Sequence, residues 1–86
     1  MAMESGLNVF IGAVTEEKTP TAQIAKKLLA IPGIESVYEL TGELDILIQV
    51  KSPSVSKINE ILEAIRATEG IEKTTTYLVL DKHVKN

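Results

Sequence analysis

The sequence predicts a single α+β domain whose elements run β-α-β-β-α-β, with a four-stranded antiparallel sheet carrying both helices on one face. Three observations predict it. Four apolar runs are short enough to be strands, and two amphipathic stretches at helical spacing separate them. The plan also repeats: Pro32-Gly33-Ile34-Glu35 follows the first helical stretch as Glu69-Gly70-Ile71-Glu72 follows the second. Right-handed crossovers then place both helices on the same side of the sheet, which is the split βαβ, ferredoxin-like arrangement.

Leu7 to Val14 is the first apolar run, interrupted by Asn8 and Gly12. The polar loop Thr15-Glu16-Glu17-Lys18 follows. Thr19-Pro20 reads as a helix start, with the Thr19 hydroxyl as cap and proline at the first helical position. Ala22, Ile24, Ala25, Leu28 and Leu29 form the apolar stripe of this helix, and Pro32-Gly33 ends it. The second strand runs from Ile34 to Leu40, and the third from Ile46 to Val50. Ser52-Pro53 repeats the Thr19-Pro20 start signal, and Val55, Ile58, Ile61, Leu62 and Ile65 mark the buried stripe of a second helix. Glu69-Gly70 closes it, and a last strand covers about Ile71 to Leu80. The expectation is one domain over residues 1–86, with an ordered core over about 6–80 and a polar tail over 81–86.

Composition excludes several classes of function. The 86-residue chain contains no cysteine, so it has no disulfide framework, thiol nucleophile or thiolate metal site. Its formal charge is -3 and its nine basic residues are scattered, with only Lys26-Lys27 adjacent; a surface that tracks phosphates needs them clustered. Phe10, Tyr38 and Tyr77 are too few for a base-stacking platform, and the residues ahead of the first strand leave no room for a helix-turn-helix. No direct nucleic-acid contact is expected. No apolar segment approaches membrane-spanning length and the start lacks a basic, then apolar, leader, so the expectation is a cytoplasmic protein with no membrane association. The lone histidine, His83, falls in the tail, and neither a Gly-x-Ser-x-Gly elbow nor a histidine pair at metal spacing occurs. Neither an enzyme nor a resident cofactor is expected.

The strands make a demand of their own. A sheet covered by helices on one face and by water on the other should alternate apolar and polar residues. Here Leu7, Val9, Ile11 and Ala13 oppose Phe10 and Val14, while Ile46, Ile48 and Val50 oppose Leu47. In the last strand Leu78 and Leu80 oppose Tyr77 and Val79. Large apolar patches on a monomer mark interaction surfaces, so the face without helices is expected to meet a second copy, sheet against sheet.

Thr41-Gly42-Glu43-Leu44-Asp45 links the second and third strands. Gly42 supplies either a positive φ or a close backbone approach, and Asp45 sets a carboxylate at the mouth of the third strand. The segment reads equally as a plain turn with a solvated aspartate.

The run from Ile31 to Val50, with its Pro-Gly-Ile turn, strand, Thr-Gly-x-x-Asp and apolar strand, strongly resembles the effector-binding half of Lrp/AsnC-family transcription regulators. Gly70 to Leu80, with threonines at alternate positions before an apolar end, resembles that family's last strand. The resemblance covers nearly the whole chain without the family's helix-turn-helix. It implies a homodimer formed by sheet packing, dimers assembled as a tetramer of dimers, and an amino-acid effector bound between neighbouring dimers. It further implies that Leu40, Thr41, Gly42, Leu44 and Asp45 line the effector site, and that Thr74 and Thr76 of an adjacent subunit help close it. Leu44 departs from the pattern, since many relatives carry an aromatic there. A zwitterion fits such a site: Asp45 meets its ammonium, while amides around Gly42 and the threonine hydroxyls meet its carboxylate.

Other readings share parts of this pattern. An ACT-type module has the same element order but pairs its sheets side by side, which the two-sided strands disfavour. A ligand-free module that joins a full-length Lrp/AsnC regulator would use the same surfaces. Small ferredoxin-like enzymes exist, but Glu43 and Asp45 on an exposed turn lack the apolar pocket that would separate their acidities. Thr74 and Thr76 also read as ordinary strand threonines.

Overall fold

The computed structural model describes residues 7–52 and 54–85. The elements are β1 (Leu7–Thr15), α1 (Thr21–Leu29), β2 (Ile34–Glu39), β3 (Ile46–Ser52), α2 (Val55–Arg66) and β4 (Ile71–Leu78). The strands form one sheet in the order β2-β3-β1-β4, and every neighbouring pair is antiparallel. This is the predicted α+β, ferredoxin-like fold.

Alternation along the strands decides where the core sits. Val9, Ile11 and Ala13 of β1 and Ile46, Ile48 and Val50 of β3 turn to the helices and form one buried cluster with Ile24, Leu28, Ile58, Ile61 and Ile65. Fully burying one such aliphatic side chain is worth about 1.5–3 kcal/mol, so this cluster is the main force holding helices to sheet. The predicted helical stripes were too wide at their ends: Ala22 and Leu29 of α1 and Val55 of α2 are exposed. Each helix covers the sheet with its middle turns, and residues at its margins reach past the sheet.

The two helix starts are built differently from the predicted pair of Thr/Ser-Pro signals. In α1 the capping position is Pro20, with ψ 131° and no side-chain cap; its carbonyl accepts from Gln23 and Ile24 at 3.0 and 3.3 Å. The Thr19 hydroxyl therefore lies one residue too early to cap, because Pro20 stays extended and helical geometry begins at Thr21. In α2 the cap is Ser54, whose hydroxyl accepts the Lys57 N–H at 3.2 Å. Ser52 instead donates its hydroxyl to the Ser54 carbonyl at 3.1 Å, and the Pro53 half of that predicted signal lies outside the described residues. The last strand ends at Leu78 rather than Leu80; one further ladder bond, Val79 N–H to the Asn8 carbonyl at 3.1 Å, continues it before the chain leaves the sheet.

The internal repeat has a structural counterpart. The β2–β3 register skips Glu35 and the β1–β4 register skips Glu72, so each Gly-Ile-Glu turn feeds a strand that begins with a bulge. A bulge bends the strand and raises its twist at the point where the chain arrives from a helix.

On the face away from the helices, two cross-strand rows stand side by side. Tyr38, Leu47, Gly12 and Thr75 form one, and Ser36, Gln49, Phe10 and Tyr77 form the other. Phe10, Val14 and Leu47 are half-buried and both tyrosines are about half exposed, at 49% for Tyr38 and 47% for Tyr77. A Ser36 hydroxyl to Gln49 Oε1 bond of 2.9 Å runs through the middle. The face is thus amphipathic rather than uniformly apolar. Leu78, on the helix side of edge strand β4, is 54% exposed, and Leu80 lies beyond the sheet at 91%.

Candidate functional site

The link between β2 and β3 is held to β1 through Asp45. Its backbone N–H donates to the Ala13 carbonyl at 2.9 Å, and its own carbonyl accepts from Leu40 at 2.9 Å. Its Oδ2 accepts the Thr15 N–H at 2.8 Å. Thr15 lies beyond the last β1–β3 pair, Ala13 with Ile46, so the carboxylate takes the place that a strand carbonyl would have filled. Asp45 is half-buried and anchored, which removes the reading of a plain turn with a solvated aspartate. Its Oδ1 makes no hydrogen bond among the described residues.

Between the anchors, Thr41, Gly42 and Glu43 are exposed. Gly42 has φ 117° and nothing within 4 Å of where a Cβ would stand, so of its two predicted uses the positive φ is the one realised. The close approach falls elsewhere. A Cβ on Gly12, in the middle of β1, would stand 2.6 Å from Leu44 Cδ1: the loop lays Leu44 on the helix-free face over a strand position that has no side chain. In the sequence Gly12 reads as an interruption of the first strand, although a glycine inside a strand is itself a signal of close approach.

The last-strand threonines lie on the other side of the sheet. Thr74 pairs with Ala13 and Thr76 with Ile11, both core-facing positions, whereas Thr75 pairs with Gly12 under Leu44. The Thr74 Oγ1 accepts from Arg66 Nε at 3.4 Å, across to the end of α2, and Thr76 is exposed. Within one chain, therefore, Leu44 lies on the helix-free face and Thr74 and Thr76 on the helix side. Among the described residues no cluster of His, Asp and Glu is arranged to hold a metal ion, and no helix is long and apolar enough to cross a membrane.

Fold and site define a class: a β-α-β-β-α-β domain with a Thr-Gly-x-x-Asp loop anchored on its first strand. The family model of the Lrp/AsnC ligand binding domain matches residues 8–86, and the chain belongs to that family. Among curated relatives it is 36% identical over 78 residues to the HTH-type transcriptional regulator LysM of Sulfurisphaera tokodaii, covering 91% of this chain and 56% of the regulator. It is also 36% identical over 76 residues to the homocitrate synthase of the same organism, covering 88% of this chain and 16% of the enzyme. The chain thus spans about half the length of the regulator and a small part of the synthase. Among solved structures, a hypothetical protein from Pyrococcus horikoshii superposes with a TM-score of 0.77 at 28% identity, over 90% of this chain and 93% of that one. A transcriptional regulator from Neisseria meningitidis, solved as its L-Met complex, has the same fold, with a TM-score of 0.78 at 24% identity over 96% of this chain and 55% of that one.

Proposed function

We propose that this chain is an amino-acid-sensing and assembly module that modulates transcription from the cytoplasm, without touching DNA itself. It pairs with a second copy through the helix-free sheet face and builds a tetramer of dimers. The effector sits at the seam between dimers, with Leu40, Thr41, Gly42, Leu44 and Asp45 on one side and Thr74 and Thr76 of a neighbour on the other. Supporting this reading are membership of a ligand-binding family, the likeness to a DNA-binding regulator, and a relative's fold solved with L-Met. The placement of Leu44 and of the two threonines on opposite faces of one chain agrees with a site made by two.

The single observation that carries the proposal is the state of Asp45. One carboxylate oxygen holds the loop in place through Thr15, and the other is left to accept from an ammonium group. Exposed backbone around Gly42 supplies donors for a carboxylate. A charge-assisted bond contributes about 1.5–3 kcal/mol, so a few such bonds suffice for affinities in the micromolar to millimolar range. Titration calorimetry of the chain against a panel of amino acids tests this: one or a few bind saturably, and Asp45→Asn weakens them at least tenfold. Equal affinities in the two proteins would remove Asp45 from the site.

The match to homocitrate synthase favours a second reading, in which the module answers to an enzyme rather than to a DNA-binding regulator. Association assays against both kinds of purified partner separate the two.

A further inference from the structure

Where the end of α2 meets the edge of β4, a surface cavity of about 370 Å³ is lined by Arg66, Ile71, Glu72, Lys73 and Thr74. Arg66 is the chain's one arginine. In a protein with twelve acidic residues it makes no ion pair among those described; its side chain donates instead from Nε to Thr74 Oγ1 at 3.4 Å. That bond occupies Nε and leaves the terminal nitrogens as a donor pair. A fork of that shape matches a carboxylate.

The rest of the cavity suits a small zwitterion. Ile71 packs against the core and gives an apolar wall, Lys73 adds a second cation, and Glu72 adds an anion on the same rim. Glu72 is also the bulged residue of β4, so the strand departs from regular pairing just where it borders the cavity. Thr74 belongs at once to this cavity and to the threonine side of the proposed effector seam.

We propose that Arg66, steadied by Thr74, is a carboxylate receptor and a specificity-determining residue of the effector site. Its ligand is a small carboxylate, either the α-carboxylate of the amino acid or the carboxylate of an acidic side chain. The role assigned to the site as a whole rests on the sensing function proposed above, whereas the receptor itself can be probed without it.

The test follows the single arginine Nε–Hε resonance of the ¹⁵N-labelled full chain during titration with acetate, L-glutamate, L-glutamine and glycinamide, alongside calorimetry on wild type, Arg66→Gln and Arg66→Lys. The expected result is a saturable shift with the carboxylates and none with glycinamide, a loss of tenfold or more in R66Q, and partial recovery in R66K. A loss of equal size for glutamate and glutamine assigns the α-carboxylate, and a loss confined to glutamate assigns the side chain. An amino acid that binds wild type and R66Q equally, with the resonance unmoved, overturns the receptor and leaves sensing intact. A resonance that moves with acetate while no amino acid binds keeps the receptor and overturns sensing.

Discussion

Asp45 Oδ2 accepts the backbone N–H of Thr15 at 2.8 Å, closing a bond between residues thirty positions apart and tying the β2–β3 link to the end of β1. One side chain thus shapes the loop and, under the proposed function, also meets the ligand. The two uses separate by mutation. Asp45→Asn keeps an amide oxygen for Thr15 and removes the charge, so it weakens effector binding while stability falls by less than about 1 kcal/mol. Asp45→Ala leaves the Thr15 amide without its partner and destabilises the fold by about 1–3 kcal/mol. Urea denaturation of both variants beside calorimetry checks the separation.

Gly12 and Leu44 form a second coupled pair. A methyl group on Gly12 would stand 2.6 Å from Leu44 Cδ1, so Gly12→Ala pushes aside the end of a half-buried loop leucine and costs about 1 kcal/mol, the low end of the overpacking range. Removing the obstacle relieves it: the double variant Gly12→Ala, Leu44→Ala is more stable than the sum of the single effects predicts. A double-mutant cycle by chemical denaturation measures this coupling, which should exceed about 0.5 kcal/mol.

The helix starts give a sharper contrast than their sequences imply. Ser54→Ala removes the hydroxyl that caps α2 and costs about 1 kcal/mol, whereas Thr19→Ala, one residue short of the cap position, costs no more than about 0.5 kcal/mol. Thermal unfolding of the two variants ranks them.

The helix-free face predicts an assembly variant. Leu47 is half-buried at the centre of that face, beside Tyr38 and Gly12, and takes no part in the buried cluster under the helices. Leu47→Lys places a charge in the proposed sheet-to-sheet contact while sparing that cluster. Sedimentation velocity should show the variant shifted toward monomer with its far-ultraviolet circular dichroism unchanged.

These cases also show what a sequence displays. Along β1 and β3 the sequence displays two residue sets of period two, but with apolar side chains in both it does not mark which set meets the helices; the fold gives that place to Val9, Ile11, Ile46 and Ile48. The two Gly-Ile-Glu turns displayed the repeat, although not the bulges at Glu35 and Glu72, which exist only relative to a partner strand. Thr-Gly-Glu-Leu-Asp located the candidate loop. The anchoring of Asp45 by Thr15 and the seat of Leu44 over Gly12 were illegible, since each joins residues about thirty positions apart through the fold. The role of Arg66 was illegible for a related reason: as one charge outside the buried stripe of an amphipathic helix it reads as surface, and only the pairing of β1 with β4 brings Thr74 beneath it.

The central claim is that copies of this domain assemble and that an amino acid bound at their seam alters the assembly. Multi-angle light scattering of the purified chain, alone and with each common amino acid in turn, tests it most directly. The account predicts a mass of at least a dimer and a shift in mass distribution with one or a few amino acids. A mass equal to the single chain at high concentration, unchanged by every amino acid, would contradict it.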